Sequence, residues 1–367
     1  HSCITTMAQR KIEALAQHDD IELTLIVPTW WRYALRDIPL EKRHDPRYRI
    51  VAGRVALSGR INGHFYWPDT LLAVKDFAPD VLHIEQEPTS LAALQWLAVN
   101  RLRARVHTVL FTWENLGVRH SAPQRLVESF TLRQLDHVIA GNRAGEALLR
   151  RKQFARPITV MPLVGVDAEQ FAPPADDGLR RSLGLDGARV VGYLGRLVAE
   201  KGVADLLDAI VRLPADVKLL MVGKGPAQPA LEKHAARLGV RERVVFVDAV
   251  PHDSVVRYLN CMDVFVLPSR TTPFWVEQFG HVLIEAMACA VAVVASSSGA
   301  IPEVIGDAGL VFREGDVGDL RAKLTRLLDD AALRATLAAR GRERVLAEYT
   351  NDVLARKTIA VYRSLLA

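Results

Sequence analysis

Cysteine is scarce in this chain, long apolar runs are absent, and several familiar cofactor signatures are missing. The three cysteines, Cys3, Cys261 and Cys289, lie far apart and match no zinc or redox spacing. A disulfide framework is therefore not implied, and a reducing cytoplasm fits this usage best. The longest uninterrupted apolar run, Ala286 to Ala295, is ten residues, short of the roughly 18 that a helical membrane span requires. No Gly-x-Gly-x-x-Gly follows a strand-like run, which argues against a dinucleotide oxidoreductase. Gly223-Lys224-Gly225 lacks both the earlier glycine and the following Ser or Thr of a P-loop. Neither an Asp-x-Asp pair for a divalent metal nor a helical His-Glu-x-x-His occurs. Charge of one sign is also modest. A net +5 with 50% hydrophobic and 24% charged residues excludes a disordered polyelectrolyte, which could not bury enough apolar surface to order itself.

At about 150 residues per domain, 367 residues make two domains. Residues 1–170 hold 22 Lys+Arg against 18 Asp+Glu, so they supply +4 of the +5. Much of that excess lies between residues 30 and 60, at Arg32, Arg36, Lys42, Arg43, Arg47, Arg49, Arg54 and Arg60. Such a stretch is either an anion-binding surface or a solvated loop. The basic residues fit no nucleic-acid recognition module.

Short Val/Ile/Leu runs alternate with longer amphipathic stretches over almost the whole length. The expected strands are Ile21–Pro28, Val81–Glu85, Val106–Thr112, His137–Gly141 and Ile158–Pro162, then Arg189–Gly195, Val217–Gly223, Arg243–Val247, Val264–Pro268 and Val291–Ser296. Near-continuous apolar strands belong to parallel sheets covered on both faces, so the fold class is α/β with two doubly wound domains. A turn-rich linker, Gly165 to Gly178, contains Pro173, Pro174, Asp176 and Asp177 and divides them. The expected division is 1–170 and 171–350, with 351–367 packing back on the first domain. The chain opens on a helix-like Thr6–Gln17, so the first strand of that domain reads as missing through truncation.

Three motifs carry chemistry. Glu277-Gln-Phe-Gly-His-Val-Leu-Ile-Glu285 follows a strand and a polar loop with Ser269 and Arg270, and a helix should begin at Gly280. Its first-turn amides at Gly280, His281 and Val282 would lack intrahelical partners and, with the helix dipole, suit a diphosphate. Val282, Leu283 and Ala286 would form its buried stripe. Glu277 and Glu285 could accept hydrogen bonds from sugar or ribose hydroxyls; the alternative has Glu277 capping the helix and Glu285 solvated. The second motif, Gly195-Arg196…Glu200-Lys201-Gly202, sits at a strand's carboxyl end, where ligands of open parallel sheets bind. Two fixed cations there could neutralise a pyrophosphate leaving group without a metal. The third, Val222-Gly223-Lys224-Gly225, also ends a strand.

In this order these motifs resemble the retaining glycosyltransferases of family 4, of GT-B architecture. Ser298-Gly299-Ala300-Ile301-Pro302-Glu303, Gly309-Leu310-Val311-Phe312 and Gly165-Val166-Asp167 with Phe171 extend the likeness. The resemblance implies two Rossmann-like domains facing across a cleft and a UDP- or GDP-sugar donor. Arg196, Lys201 and the Gly280, His281 and Val282 amides would hold the diphosphate, Glu285 the ribose, and Glu277 the donor sugar at the reacting carbon. Lys224 and Val250 would lie near the base. No metal and no further cofactor is implied.

The first half departs from that pattern. Where many family members carry a His, this chain reads Thr112-Trp113-Glu114-Asn115. Glu85, Glu87 and Glu114 are the candidates for the acceptor side, with Trp113 and Glu114 as packing and capping residues the alternative; His1 is a further cleft candidate. Trp30, Trp31, Tyr33, Phe65, Tyr66 and Trp67 beside the basic stretch point to peripheral contact with an anionic membrane at its cytoplasmic face and a lipid-linked acceptor, or to core packing. Two rival functions are a nucleotide-sugar epimerase and a catalytically silent sugar-nucleotide-binding protein.

Overall fold

Runs of Val, Ile and Leu fold here as parallel strands between helices, because a strand buried on both faces needs no polar side. A computed structural model of the chain describes residues 2–33, 36–41, 47–74, 76–103, 105–173 and 178–367. His1, Lys42, Arg43, Asp45, Pro174, Asp176 and Asp177 lie outside the described residues, as does the side chain of Arg36. The chain forms two compact units: His1–Gly165 with Asn351–Ala367, and Val166–Thr350.

In the first unit β1 (Leu23–Pro28) is followed by a ribbon of β2 (Trp30–Tyr33) and β3 (Arg36–Pro39), and then by β4 (Tyr48–Gly53), which pairs with β1 in parallel. A second short ribbon joins β5 (Val55–Ala56) and β6 (Phe65–Tyr66). Next come β7 (Val81–Glu85), β8 (His107–Thr112), β9 (His137–Ala140) and β10 (Ile158–Val160), side by side in a four-stranded parallel sheet. The helices Thr6–Leu15 and Asn351–Leu366 pack together, burying Ile12, Leu15, Ala355 and Ile359 in one core cluster. Leu354 and Val361 reach a second cluster with Val109, Phe111 and Ile139 of the sheet. Tyr362 Oη and His83 Nδ1 share a hydrogen bond of 2.6 Å.

The second unit holds β11 (Arg189–Leu194), β12 (Val217–Val222), β13 (Val244–Val247), β14 (Val264–Leu267), β15 (Ala292–Ser296) and β16 (Leu310–Phe312). Their spatial order is β13-β12-β11-β14-β15-β16, parallel throughout. The chain winds one way from β11 to β13, then restarts on the other side at β14. That is the doubly wound arrangement, whose order reverses between β11 and β14. The crevice outside the strands' carboxyl ends at such a reversal is where open α/β sheets take their ligands.

Candidate active site

Two loops flank the reversal, and both carry motif residues. After β11 the chain passes Gly195 and Arg196, makes a single turn over Ala199–Lys201, and enters the helix Val203–Ile210 through Gly202. After β14 it passes Ser269, Arg270 and Glu277 before the helix His281–Ala288. Gly202 adopts φ +64°, and a Cβ there would lie 2.0 Å from the Pro268 carbonyl oxygen. Only glycine lets the two loops meet this closely. The Arg270 amide donates to the Glu200 carbonyl at 2.8 Å. Its guanidinium forks onto Asp205, with Nε donating to Oδ2 at 2.7 Å and Nη2 to Oδ1. Burial nevertheless holds the Asp205 carboxyl above its ordinary range, outweighing the pull of Arg270.

Lys201 and Glu277 meet where these loops converge. Lys201 Nζ donates to Glu277 Oε2 at 2.5 Å, and Ser269 Oγ donates to the same oxygen at 2.7 Å. Glu277 is 6% exposed, so its charge is held by charge-assisted bonds rather than by water. Lys201 Nζ also lies 4.8 Å from the centre of the Trp275 ring. Arg196 is different: its guanidinium is over half exposed and 3.8 Å from Glu200, while its carbonyl accepts from Tyr193 Oη at 2.7 Å. Of the two cations expected to be fixed, Lys201 alone is clamped; the backbone of Arg196 is anchored and its side chain projects into solvent.

Gly280 caps the helix at φ +78°, and its carbonyl accepts from the Leu283 amide at 2.8 Å. The expected apolar stripe is too narrow. Leu283, Ile284, Glu285, Ala286, Met287 and Ala288 are all buried, whereas Val282 is only half-buried. The β14–β15 crossover lies inside the unit, which leaves this helix little outward face. Glu285 is thus not a solvated residue. Its Oε1 lies 2.9 Å from His252 Nε2 and 3.2 Å from His281 Nδ1. A carboxylate can only accept, so both ring nitrogens present protons to it. Burial alone would raise this carboxyl, but the two histidines outweigh it and hold Glu285 down at about 2.

His252 is a residue that sequence reasoning missed. It opens the helix His252–Leu259 after β13, and its ring centre lies 5.4 Å from that of Phe171. The available signal was its position two residues beyond Val250, behind a strand's carboxyl end. Val250 is half-buried and Lys224 is exposed. The Lys224 carbonyl accepts from the Leu197 amide at 3.1 Å, so the loops after β11 and β12 adjoin.

The acidic candidates of the first unit have three separate sets of side-chain partners. Glu85 Oε2 accepts from Ser2 Oγ at 2.7 Å and Cys3 Sγ at 3.2 Å. Burial pushes Glu85 up, yet Lys11, His83 and these bonds hold it below its usual range. Glu87 instead accepts from the Thr112 hydroxyl and, at 3.0 Å, from the Trp113 amide; burial raises it. Glu114 is bound within its own unit, by His120 Nε2 at 3.0 Å and Lys152 Nζ at 2.9 Å. Lys152 also reaches Glu128 at 2.5 Å. Glu114, His120 and Glu128 have the spacing of a metal-ligand set, but the Lys152 ammonium already bridges both carboxylates, and a second cation would meet its repulsion. Trp113 packs against Gly141, where a Cβ would lie 2.2 Å from its ring, and stands 5.0 Å from Phe111.

Comparison with known proteins gives one consistent result. Residues 176–344 match the family described as glycosyl transferases group 1, and residues 4–163 match the glycosyl transferase 4-like domain. The chain is 35% identical over 210 residues to a GDP-mannose-dependent monoacylated alpha-(1-6)-phosphatidylinositol monomannoside mannosyltransferase of Corynebacterium glutamicum, covering 54% of this chain and 55% of that protein. It is 30% identical over 307 residues to the lipopolysaccharide core biosynthesis mannosyltransferase LpsB of Rhizobium meliloti, covering 78% and 84%. The chain thus spans about half the length of the first of these relatives and most of the second. Among solved structures it superposes on sucrose-phosphate synthase from Thermosynechococcus elongatus with a TM-score of 0.77 at 23% identity, covering 98% and 92% of the two chains. Anabaena HepE in complex with UDP gives a TM-score of 0.71 at 21% identity, covering 86% of each.

Proposed function

This chain belongs to the glycosyl transferases group 1 family and carries the GT-B fold, and from that premise we propose that it is a retaining, nucleotide-sugar-dependent glycosyltransferase. One observation carries the reading: the two loops at the sheet's reversal bring Lys201 and Glu277 together beside the capped mouth of the helix His281–Ala288. As the sugar becomes oxocarbenium-like, charge grows on the departing nucleoside diphosphate. Fixed donors aimed at that charge lower the barrier most where water is excluded. In this proposal Lys201, Arg196 and the amides of Gly280, His281 and Val282 receive the diphosphate. Glu285, already oriented by two histidines, takes the ribose hydroxyls. Glu277 orients the donor sugar at the reacting carbon and is not assigned as a nucleophile. Lys224 and Val250 stand on the base side, and Glu85, Glu87 and Glu114 on the acceptor side.

The donor is a UDP- or GDP-sugar, and the acceptor a carbohydrate or a lipid-linked glycan. The cationic side chains and helix amides supply the positive charge that a divalent metal supplies elsewhere, so transfer should survive EDTA. A thermal-shift panel of nucleoside diphosphates and their sugars should identify the donor, because binding raises the melting temperature. Lys201→Ala should weaken the preferred nucleotide about tenfold or more, a loss of roughly 1.4 kcal/mol. Unchanged UDP and GDP affinities in that variant would refute the diphosphate assignment. Binding without transfer or donor hydrolysis would favour a silent binding protein, and a rearranged donor sugar without acceptor would favour an epimerase.

The proposal extends to a peripheral position on an anionic membrane at its cytoplasmic face. Trp30, Tyr33, Phe65 and Trp67 are exposed, with Arg32 5.5 Å above the Trp30 ring and Arg54 5.9 Å above that of Trp67. Trp31 and Tyr66 are core residues instead. Free thiols at Cys3, Cys261 and Cys289 suit a reducing compartment, and no described helix is long and apolar enough to cross a membrane. Sedimentation with vesicles containing anionic lipid should pellet the chain, and Trp30→Ser with Trp67→Ser should release it. Equal recovery in the supernatant with and without vesicles would remove the membrane proposal.

A further inference from the structure

The segment between β14 and Glu277 makes a tight turn whose construction the donor site does not explain. Thr272 and Trp275 pair across it, the Thr272 amide donating to the Trp275 carbonyl at 2.8 Å. Ahead of the turn, Thr271 is bound twice by Glu314: its amide donates to Oε1 at 2.5 Å and its hydroxyl to Oε2 at 2.8 Å. The same hydroxyl lies 3.0 Å from Ser298 Oγ. Behind the apex, Trp275 lies against Lys201. Both limbs are therefore anchored, one to Glu314 and the other to the centre of the site. Yet Phe274, at the apex, is 88% exposed, the most exposed large apolar side chain among the described residues.

A solitary exposed apolar residue needs no explanation on an ordinary surface. Here the ring stands on a turn that is hydrogen-bonded on one limb and stacked on the other, three residues from Glu277. Little backbone freedom is left to lose when a ligand covers it, which is the condition under which an aromatic contact contributes most. The polar groups that bond along this segment and at its base are a carboxylate, an ammonium and hydroxyls, at Glu277, Lys201, Ser269 and Thr271. A ligand matching this set has hydroxyl groups around its edge and an apolar face.

We propose that Phe274 is a platform for a pyranose ring, taking the ring's C–H face while the polar groups beside Glu277 take its hydroxyls. The assignment rests on the donor site described above. It makes Phe274 a specificity-determining residue, reached either by the sugar of the donor or by a sugar of the acceptor.

Saturation-transfer NMR on the full chain tests this with methyl α-D-mannopyranoside and methyl α-D-glucopyranoside as probes. The wild type and Phe274→Trp should show transfer to the ring protons, and Phe274→Ser should reduce it at least fivefold. The melting temperature should be unchanged, because the side chain packs on little. Affinity for free UDP or GDP should not change either. If the affinity gap between nucleotide and nucleotide-sugar narrows in Phe274→Ser, the platform receives the donor sugar. If that gap is preserved while the methyl glycoside signal with nucleotide bound still falls, it receives an acceptor sugar. Equal glycoside signals in wild type and Phe274→Ser, with the gap unchanged, would overturn the proposal. A wild type that binds neither nucleotide yet keeps a Phe274-dependent glycoside signal would sink the donor reading and leave the platform standing.

Discussion

Glu277 and Glu285 stand eight positions apart in one motif, and the fold gives them opposite companions. Glu277 pairs with a lysine from the neighbouring loop, whereas Glu285 rests between two histidines. For Glu285 the companions leave a measurable trace. Its folded-state value of about 2 lies below the ordinary 4.5, so its stabilising contribution is complete above about pH 4.5 and is lost as the pH falls through 2. The difference corresponds to about 3 kcal/mol. Denaturant titrations at a series of pH values should show that acid-side slope in the wild type and a flatter one in Glu285→Gln; parallel curves would show that the histidines do not hold the charge. The positions of both glutamates were legible from strand, loop and helix order alone. Their partners were not, because Lys201 and His252 come from other crossovers, and local spacing carries no register between crossovers. His252 and Trp275 went unremarked for that reason.

At the level of elements, several strands with near-continuous apolar runs could be read almost to the residue. Val81–Glu85 was read with its observed bounds, and β11 and β12 each run one residue shorter than expected. Elements bearing charge were missed. β4 exposes Arg49 and Ala52 while burying Tyr48, Val51 and Gly53, and its arginines made it read as part of a basic loop. The helix Arg143–Arg151 carries three arginines around a small apolar face at Leu148 and Leu149, and is started by Asn142, whose side chain accepts from the Gly145 amide at 2.8 Å. The close approach of the β11 and β14 loops offers the sharpest element-scale test. Gly202→Ala would force a Cβ against the Pro268 carbonyl from a left-handed backbone. A loss of about 2 kcal/mol or more is expected, together with weaker nucleotide binding, because Lys201 is the adjacent residue. Chemical denaturation and a UDP and GDP titration would measure both; an unperturbed variant would mean that the loops can part freely.

For the whole molecule, the notable feature is a first unit assembled from both ends of the chain. Val353, Leu354, Ile359 and Val361 of the last helix are all buried in it. At roughly 1.5–3 kcal/mol per buried side chain, four of them approach the 5–15 kcal/mol that typically holds a domain together. Removing residues 351–367 should therefore unfold the first unit and spare the second. Hydrogen exchange should then show protection lost in β7–β10 and retained in β11–β16; protection surviving in both sets would show that the helix is dispensable.

That dependence imposes an order on biosynthesis. While the ribosome is still translating, every strand of the opening unit is already outside the exit tunnel but lacks the helix that seals it. The middle unit can finish folding at that stage. The opening unit must wait, with Val109, Phe111 and Ile139 uncovered, until residues 351–367 have been translated. A nascent chain stalled before residue 351 would be the form most in need of a chaperone.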